Sequence, residues 1–227
     1  MRLHRKTPMT AKIKHHLTDD LLMGYSAGTL PEAFNLVVAT HISMCDECRA
    51  RLASFDAVGG ELVASADTVA MAEDSLTAVM AKIKAGAGPS EDKPKSVRAP
   101  GSIFPTPLQE YVSGDLDAVR WRSVGGGVSQ AILKTSEDAT VRLIKIPAGT
   151  AVPDHGHRGM ELTLVLQGAF VDETDRFAAG DVEVANEDLN HTPIAEEGVD
   201  CICLSATDAP LRFNGLLPRL AQRFIGI

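Results

Sequence analysis

The sequence changes its hydrophobic period once, and the change falls at a segment that fits neither half. Before residue 85, apolar residues recur every three or four positions, which is typical of helices that bury one face. After residue 102 they alternate or run together over strand lengths, as in "VRLIKI" and "ELTLVLQGAF". The segment between them, "AGAGPSEDKPKSVRAPGS", is rich in Gly, Pro, Ser and charge, which is typical of linkers. The chain is therefore predicted to be multidomain α + β: a small all-α domain, a linker and a β-domain.

The same patterns give the predicted boundaries. Residues 1–14 form a disordered leader, within which Met9 is an alternative start. Residues 15–86 form the helical domain, 87–102 the linker and 103–213 a β-sandwich or barrel. Residues 214–227 form a tail that can fold into a short helix.

Composition and charge exclude several classes of function. The 227 residues carry a net charge of −8 and only 4% aromatics, which argues against direct binding of nucleic acid. The chain shows no apolar run long enough to span a bilayer and no signal peptide. A cytoplasmic location is predicted, where the four cysteines serve as metal ligands, reactive groups or core residues rather than disulfides.

Helix-start signals mark the first half. Thr18 precedes two acidic residues and then "LLM", so it is predicted to cap the first helix. "TLPE", Thr29 to Glu32, has capping-box spacing and predicts a second helix over residues 30–42. A third helix follows "CDEC", and a fourth is predicted from Val69 to Ile83.

The segment "THISMCDEC" predicts a metal site. His41 and Cys45 are four residues apart and share a helix face. Cys45 and Cys48 have the C-x2-C spacing that wraps a turn around one tetrahedral Zn²⁺. The fourth ligand is His15 or His16, and spacing does not choose between them. The alternatives are a redox pair, which the helical flanks disfavour, and two core cysteines.

A second candidate site lies in "GTAVPDHGHRGMELTLVLQG". His155 and His157 share one face of a strand, and a turn at residues 158–160 is needed to bring Glu161 back beside them. His191, in "EDLNHTP", can supply a fourth ligand from another hairpin. Such nitrogen and oxygen ligands suit Zn, Fe, Mn or Ni.

Cys201 and Cys203 form a third candidate, as a redox switch. Two residues apart on a strand, they share a face but lie almost 7 Å apart along it. A disulfide requires closer Cβ atoms, so two buried small side chains are the favoured interpretation.

Both halves resemble one family, the ChrR-type zinc-binding anti-sigma factors. Residues 16–63 resemble the zinc-binding anti-sigma domain, and that resemblance implies the ligands His16, His41, Cys45 and Cys48. Residues 149–168 match the cupin motif G-x5-H-x-H-x3-E-x6-G at every fixed position, which implies a cupin β-barrel, or jelly-roll. The second cupin motif departs from the pattern, with Ala178 in place of Pro.

The resemblance implies a regulator. Its members hold a group IV (extracytoplasmic-function) sigma factor inactive until singlet oxygen appears, so the apolar faces of the first four helices would contact that partner and the cupin would sense the oxidant. The alternative is a metal-dependent cupin enzyme, of dioxygenase or isomerase type, with a helical accessory domain. The sequence shows no general base beyond the predicted metal ligands, which favours the regulator.

Overall fold

The computed structural model of the protein describes residues 12–86 and 101–213. Three predictions therefore lie largely outside the described residues: the leader with its alternative start at Met9, the linker and the helix of the tail. Of these segments the structure describes only residues 12–14 and 101–102.

Within the described residues, four helices precede the linker and a fifth follows it. They are α1 (Asp19–Ser26), α2 (Glu32–Ile42), α3 (Asp46–Ser65), α4 (Ser75–Lys84) and α5 (Thr106–Val112). Thr18 caps α1 as predicted, because its hydroxyl accepts a hydrogen bond from Leu21 N at 3.4 Å. The capping box predicted at Thr29 is wrong: the Thr29 hydroxyl donates instead to the carbonyl of Gly24, and Pro31 occupies the N-cap of α2.

Two further helix predictions need correction. The fourth helix begins at Ser75 rather than at Val69, because the chain leaves the helical conformation at Ala66 and stays irregular to Asp74. Helix α5, at the start of the β-domain, was not predicted. It is only seven residues long and follows Pro105, so its sequence offers too few turns for a helical period to be recognised.

Between residues 101 and 213, the part of the β-domain that the structure describes, the chain forms twelve short strands. They are β1 (Arg122–Gly125), β2 (Val128–Leu133), β3 (Thr140–Ile146), β4 (His155–Gly156), β5 (Glu161–Gln167), β6 (Ala169–Val171), β7 (Arg176–Ala178), β8 (Val182–Ala185), β9 (Asn190–His191), β10 (Ile194–Ala195), β11 (Cys201–Thr207) and β12 (Arg212–Phe213). The large sheet has the antiparallel order β1-β2-β3-β11-β5-β8. Two three-stranded sheets, β10-β6-β7 and β12-β4-β9, complete the layer that faces it.

The turn between β5 and β6 explains one glycine of the cupin motif. Gly168 has φ +72°, a conformation that side chains other than glycine rarely adopt. A Cβ at this position would lie 2.9 Å from the carbonyl oxygen of Asp200, which is backbone and cannot move aside. The turn that aligns β5 against β11 therefore requires glycine.

Helix α2 packs directly on the large sheet. Its buried residues include Phe34, Val37 and Val38, and they belong to one continuous core with Leu143, Leu164, Leu204 and their neighbours on β3, β5 and β11. The outer face of the central strands is thus covered by the helices. The inner face supports a second apolar cluster, around Phe170, Phe177 and Cys203.

The chain ahead of α1 is tied to the same sheet. The Asp181 carboxylate accepts hydrogen bonds from Lys14 N at 2.6 Å and His15 N at 3.0 Å, and Val182 N donates to His15 O at 3.2 Å. Asp181 is buried, so these bonds are shielded from water. Helical and β-parts therefore meet through hydrogen bonds as well as apolar packing.

The predicted fold class is confirmed: a helical N-terminal region is followed by a cupin-like β-domain. Within residues 12–86 and 101–213, no helix combines the length and the apolar character that crossing a membrane would require.

Candidate metal centres

His16, His41, Cys45 and Cys48 converge at the junction of α2 and α3. One ligand atom from each lies within 4.8 Å of the others. Cys45 Sγ is 3.3 Å and Cys48 Sγ 3.7 Å from His16 Nδ1. Cys45 also caps α3, where its sulfur accepts from Cys48 N at 3.4 Å. A helix N-terminus favours a thiolate, which is the form that binds metal.

Hydrogen bonds outside this cluster fix how its imidazoles are oriented. His41 Nδ1 lies 3.0 Å from the carbonyl oxygen of Gly180, which can only accept, so Nδ1 carries the proton. His41 Nε2 is buried and has no hydrogen-bond partner within the described residues. On the other side, His16 Nε2 lies 3.3 Å from Glu47 Oε2, which leaves His16 Nδ1 facing the sulfurs. Both arrangements are typical of metal-binding histidines.

The electrostatics of this cluster fit a cation. Burial lowers the pKa of His41 to about 4, so the imidazole is neutral and its lone pair is available at neutral pH. Burial and the neighbouring Cys45 raise the pKa of the Cys48 thiol to about 11. Two adjacent buried sulfurs thus require a positive partner in order to ionise together, and a bound metal supplies one. The cluster is compatible with zinc.

His15 takes a different position from His16. Its ring lies 4.4 Å from the ring of Phe177 on β7, and its Nε2 is 3.4 Å from the Asp175 carboxylate. Of the two histidines that spacing left open, the structure brings His16 to the sulfurs and turns His15 towards the β-domain.

A second cluster lies inside the β-domain, where His155, His157 and His191 turn their Nε2 atoms towards one another. The Nε2 of His191 is 3.1 Å from that of His155 and 3.3 Å from that of His157. Two nitrogens bound to one metal at their usual bond lengths are separated by about 2.9–3.4 Å. All three side chains are buried. The spacing therefore fits a shared metal ion, and the cluster is compatible with zinc.

Acceptors behind two of these rings fix their tautomers. His155 Nδ1 lies 2.9 Å from the carbonyl oxygen of Pro153. His191 Nδ1 lies 2.7 Å from Asp172 Oδ2 and 3.2 Å from Glu183 Oε1. Each Nδ1 therefore donates outward and leaves Nε2 for the shared position.

Asp172 and Glu183 were not predicted from the sequence. Burial raises the pKa of Glu183 to about 7, and the adjacent Asp172 charge adds to that effect. Burial opposes the charging of His191, but the two carboxylates raise its pKa to about 9. The alternation of "VEVA" would place Glu183 on the polar face of its strand, whereas the structure buries Glu183 and exposes Val184, so the sequence offered no signal for this carboxylate.

Glu161 lies beside the three histidines rather than among them. Its Oε2 is 3.5 Å from His157 Nδ1, and its Oε1 accepts from Thr163 Oγ1 at 3.0 Å and Ser205 Oγ at 2.9 Å. Burial opposes ionisation of this carboxyl, but the His157 imidazole and the other donors hold its pKa at about 2. Glu161 is therefore charged at neutral pH and oriented by its neighbours.

Cys201 and Cys203 face each other on β11. Their sulfurs are 3.6 Å apart, both thiols are free, and a bulge separates the two residues in the pairing with β5. The hydrogen bond to Cys201 and burial raise the pKa of Cys203 well above its ordinary value. Strand spacing predicted a separation of about 7 Å between these residues, and because the sulfurs are closer than that, the distance no longer argues against a redox pair. A thiol of raised pKa is a poor nucleophile, so two buried small side chains stay the favoured prediction.

Comparison with known proteins covers nearly the whole chain. Residues 109–209 match the model of the ChrR Cupin-like domain. "Anti-sigma-E factor ChrR" of Cereibacter sphaeroides is 59% identical over 215 residues, which span 95% of this chain and 99% of that protein. The chain also matches the ChrR chain in the crystal structure of Rhodobacter sphaeroides SigE in complex with the anti-sigma ChrR. That match has a TM-score of 0.75 and 58% identity, and it covers 87% of this chain and 100% of that chain.

These similarities decide between the two classes of function that the sequence left open. The relative that matches along both halves is a regulatory protein, so the alternative of a cupin enzyme is not supported. The chain belongs to the ChrR family of anti-sigma factors, which are regulators and not enzymes.

Proposed function

We propose that this protein binds and inhibits a group IV, or extracytoplasmic-function, sigma factor in the cytoplasm and releases it in response to singlet oxygen or a related oxidant. The observation that supports this most directly is the match over 87% of the chain to ChrR in complex with SigE. In this proposal the helical domain, residues 15–86, holds the partner, and the cupin domain, residues 103–213, controls release.

An exposed apolar surface on α3 and α4 supports the first part. Helix α4 has no buried residue, although its sequence is amphipathic. The apolar helix surface, between 43% and 78% exposed, consists of Val58, Leu62, Val63, Leu76, Val79, Met80 and Ile83. Exposed apolar side chains on neighbouring helices are typical of a protein-binding site. A sigma factor that docks on these helices would bury them.

We propose zinc as the metal of the first cluster, with His16, His41, Cys45 and Cys48 as ligands. Two sulfurs and two imidazoles favour zinc over harder cations. A closed site of this kind stabilises the fold, because it ties the chain before α1 to the start of α3. The metal thereby fixes the start of α3, the helix that carries Val58, Leu62 and Val63 of the apolar helix surface.

For the second site we propose His155, His157 and His191 as ligands, with Glu161 beside them as the fourth. Zinc fits this set, and Fe, Mn or Ni would also suit its nitrogen and oxygen ligands. A bound metal would tie β4, β5 and β9 together. Its loss or the oxidation of a ligand would loosen that end of the β-domain, and Cys201 and Cys203 remain a secondary candidate for oxidant chemistry.

A direct contact offers a route from the β-domain to the zinc site. The carbonyl of Gly180, in the turn between β7 and β8, accepts from His41, and the next residue, Asp181, holds Lys14 and His15. Asp172, which precedes β7, and Glu183, which lies on β8, both contact His191. A change at the three histidines would therefore reach a hydrogen bond that orients a zinc ligand.

A matched pair of variants tests the binding surface. Val58 on α3 is 61% exposed and Val199, in the turn before β11, is 56% exposed. Val58→Glu should weaken binding of the sigma factor at least tenfold, because a charge would enter an apolar interface. Val199→Glu should leave binding unchanged. Binding is measured by titration calorimetry with the full chain, and equal effects of the two variants would refute this surface.

The sensing part is tested separately. His157→Ala should leave basal inhibition of transcription intact and reduce the release of the sigma factor on exposure to singlet oxygen. Lys145→Met, a change at a partly exposed residue on β3, serves as control. A normal response of the His157→Ala variant would show that the histidine site does not sense the oxidant.

A further inference from the structure

Three side-chain hydroxyls lie around Glu161 on the inner face of the large sheet. Thr163 follows Glu161 by two residues on β5, so both side chains point to the same side of that strand. On the neighbouring strand β11, Ser205 lies opposite Thr163, and Thr207 lies opposite Glu161. The strand register therefore brings three hydroxyls next to one carboxylate.

Two of these hydroxyls bind the same oxygen of Glu161. Thr163 Oγ1 donates to Glu161 Oε1 at 3.0 Å, and Ser205 Oγ donates to it at 2.9 Å. Both hydroxyl-bearing residues are buried, so water competes little for these bonds. Because a carboxylate oxygen offers about two lone pairs, the two donors occupy Oε1.

The third hydroxyl has a different partner. Thr207 Oγ1 donates to the carbonyl oxygen of Ala209 at 2.7 Å, although Thr207 is the residue directly opposite Glu161. A hydroxyl at this position therefore does not bind the carboxylate merely because it is near. The pair formed by Thr163 and Ser205 is a specific feature of this part of the sheet.

The second oxygen of Glu161 faces the histidine cluster. Glu161 Oε2 lies 3.5 Å from His157 Nδ1, which is longer than a typical hydrogen bond. His157 Nδ1 is itself buried and has no hydrogen-bond partner among the residues that the structure describes. Oε1 is thus fixed by two strong donors, whereas Oε2 is held only loosely on the side of the three histidines.

We infer that Thr163 and Ser205 are positioning residues for the metal site of the β-domain, where they restrict Glu161 to one metal-binding oxygen, Oε2. This inference rests on the proposed ligand set of the three histidines and Glu161. A carboxylate can bind a metal through one oxygen or through both. With Oε1 held by the two hydroxyls, Glu161 supplies a single donor. Three nitrogens and one oxygen then suit a four-coordinate ion such as Zn²⁺ better than an ion that prefers six ligands.

Removal of the hydroxyls should weaken metal binding and change its geometry. Thr163→Val keeps the shape of the side chain, and Ser205→Ala removes a single oxygen atom. Residues that hydrogen-bond a metal ligand typically contribute about 10–100-fold to metal affinity. We expect the affinity of this site to fall about tenfold in each single variant and up to about 100-fold in the double variant.

The probe is Co²⁺, titrated into full-length protein that carries one equivalent of zinc. The cluster with Cys45 and Cys48 takes that zinc, and the absence of cobalt–thiolate absorption shows that the cobalt is bound elsewhere. A competing chelator, too weak to remove the zinc, sets the free cobalt concentration. The visible absorption of Co²⁺ is intense with four ligands and weak with six. It should become weaker in the double variant, because Glu161 can then bind through both oxygens.

Thr207→Val is the matched control. It removes a hydroxyl from the same face of β11 that does not contact Glu161, so it should leave the cobalt affinity and the absorption unchanged. Thr163→Ser keeps the donor and should bind cobalt as the unmodified protein does. Circular dichroism shows which variants are folded, and if Thr163→Val is not, Ser205→Ala alone is compared with the control.

Two results would overturn the inference and leave the proposed ligands intact. They are an unchanged cobalt affinity and absorption in the folded variants that lack a hydroxyl, and equal losses in Thr163→Val and Thr207→Val. A failure of the proposed metal site looks different, because the unmodified protein would then bind no cobalt beside the zinc. That result would overturn the ligand set and the inference together.

Discussion

Removing the Asp181 carboxylate should detach the chain before α1 from the β-domain. Asp181 Oδ1 accepts from Lys14 N at 2.6 Å and His15 N at 3.0 Å, and Oδ2 accepts from Ala178 N at 2.8 Å. His16, which follows directly, lies in the zinc cluster. Asp181→Ala would therefore disturb both the docking of the two parts and one metal ligand.

The size of the effect follows from the two bonds to the N-terminal segment. A hydrogen bond to a charged acceptor contributes roughly 1.5–3 kcal/mol, so the pair sums to about 3–6 kcal/mol. Because Lys14 is exposed, water can replace part of its lost hydrogen bond. The expected decrease in the free energy of unfolding is therefore about 3–4 kcal/mol. For a chain of this length each kcal/mol corresponds to about 2–4 °C, so Tm should fall by about 6–16 °C.

Calorimetry of the metal-loaded protein measures the change in Tm. Asp181→Asn keeps one acceptor oxygen and should show a smaller decrease. Asp188→Ala removes an exposed carboxylate near the same strands and is the control. Zinc transfer to a chromogenic chelator should also be faster in Asp181→Ala. Equal Tm values for the Asp181→Ala and Asp188→Ala variants would refute the proposed role of this carboxylate.

Three further changes test other parts of the structure. Gly180→Ala should lower the free energy of unfolding, measured by urea denaturation, by about 2 kcal/mol or more. The reason is that Gly180 has φ +98° and an added Cβ would lie 2.6 Å from Ile13 Cγ1. An unchanged urea midpoint would contradict this. Burial and the bond to Glu32 raise the pKa of Tyr111 to about 12, so the stability from this contact is present below about pH 10 and is lost as pH rises towards 12. Ultraviolet titration should show that Tyr111 has a high pKa and that Glu32→Gln lowers it. If Glu32→Gln leaves the pKa of Tyr111 unchanged, the proposed contact is wrong. Cys45→Ser should remove one zinc equivalent per chain and reduce the helical circular dichroism signal, whereas full retention of zinc would refute the site.

Local chemistry made several features predictable from the sequence. The N-cap at Thr18 depends only on a hydroxyl and the three residues that follow it. The C-x2-C spacing brings two sulfurs to one turn in almost any context. The turn at residues 158–160 follows because no straight strand can place His157 beside Glu161. In each case the interacting groups lie within a few residues of one another.

The errors arose where the local signal was weak or had a competitor. Thr29 has the spacing of a capping box, but its hydroxyl donates a hydrogen bond to the carbonyl of Gly24 instead. Val69 continues an apolar pattern although the helix does not begin until Ser75. A periodic pattern indicates which face of a helix is apolar, and it does not determine where the helix begins.

The sequence by itself determined the division into a helical part and a β-part, the pairing of the two sulfurs with His41, and the placement of His155 and His157 on the same side of the chain. Only the tertiary structure decided that His16 and not His15 joins the sulfurs, that Asp172 and Glu183 stand behind His191, and that Thr163 and Ser205 bind Glu161. The contact between His41 and Gly180 spans 139 residues. A hydrophobic pattern specifies which face of a helix or strand is apolar. Any two apolar faces can pack together, so the pattern alone does not select the pair that does. The packing of the whole chain selects which faces meet. Buried polar groups must then be hydrogen-bonded to residues far away in the sequence, and a local sequence pattern does not identify those residues.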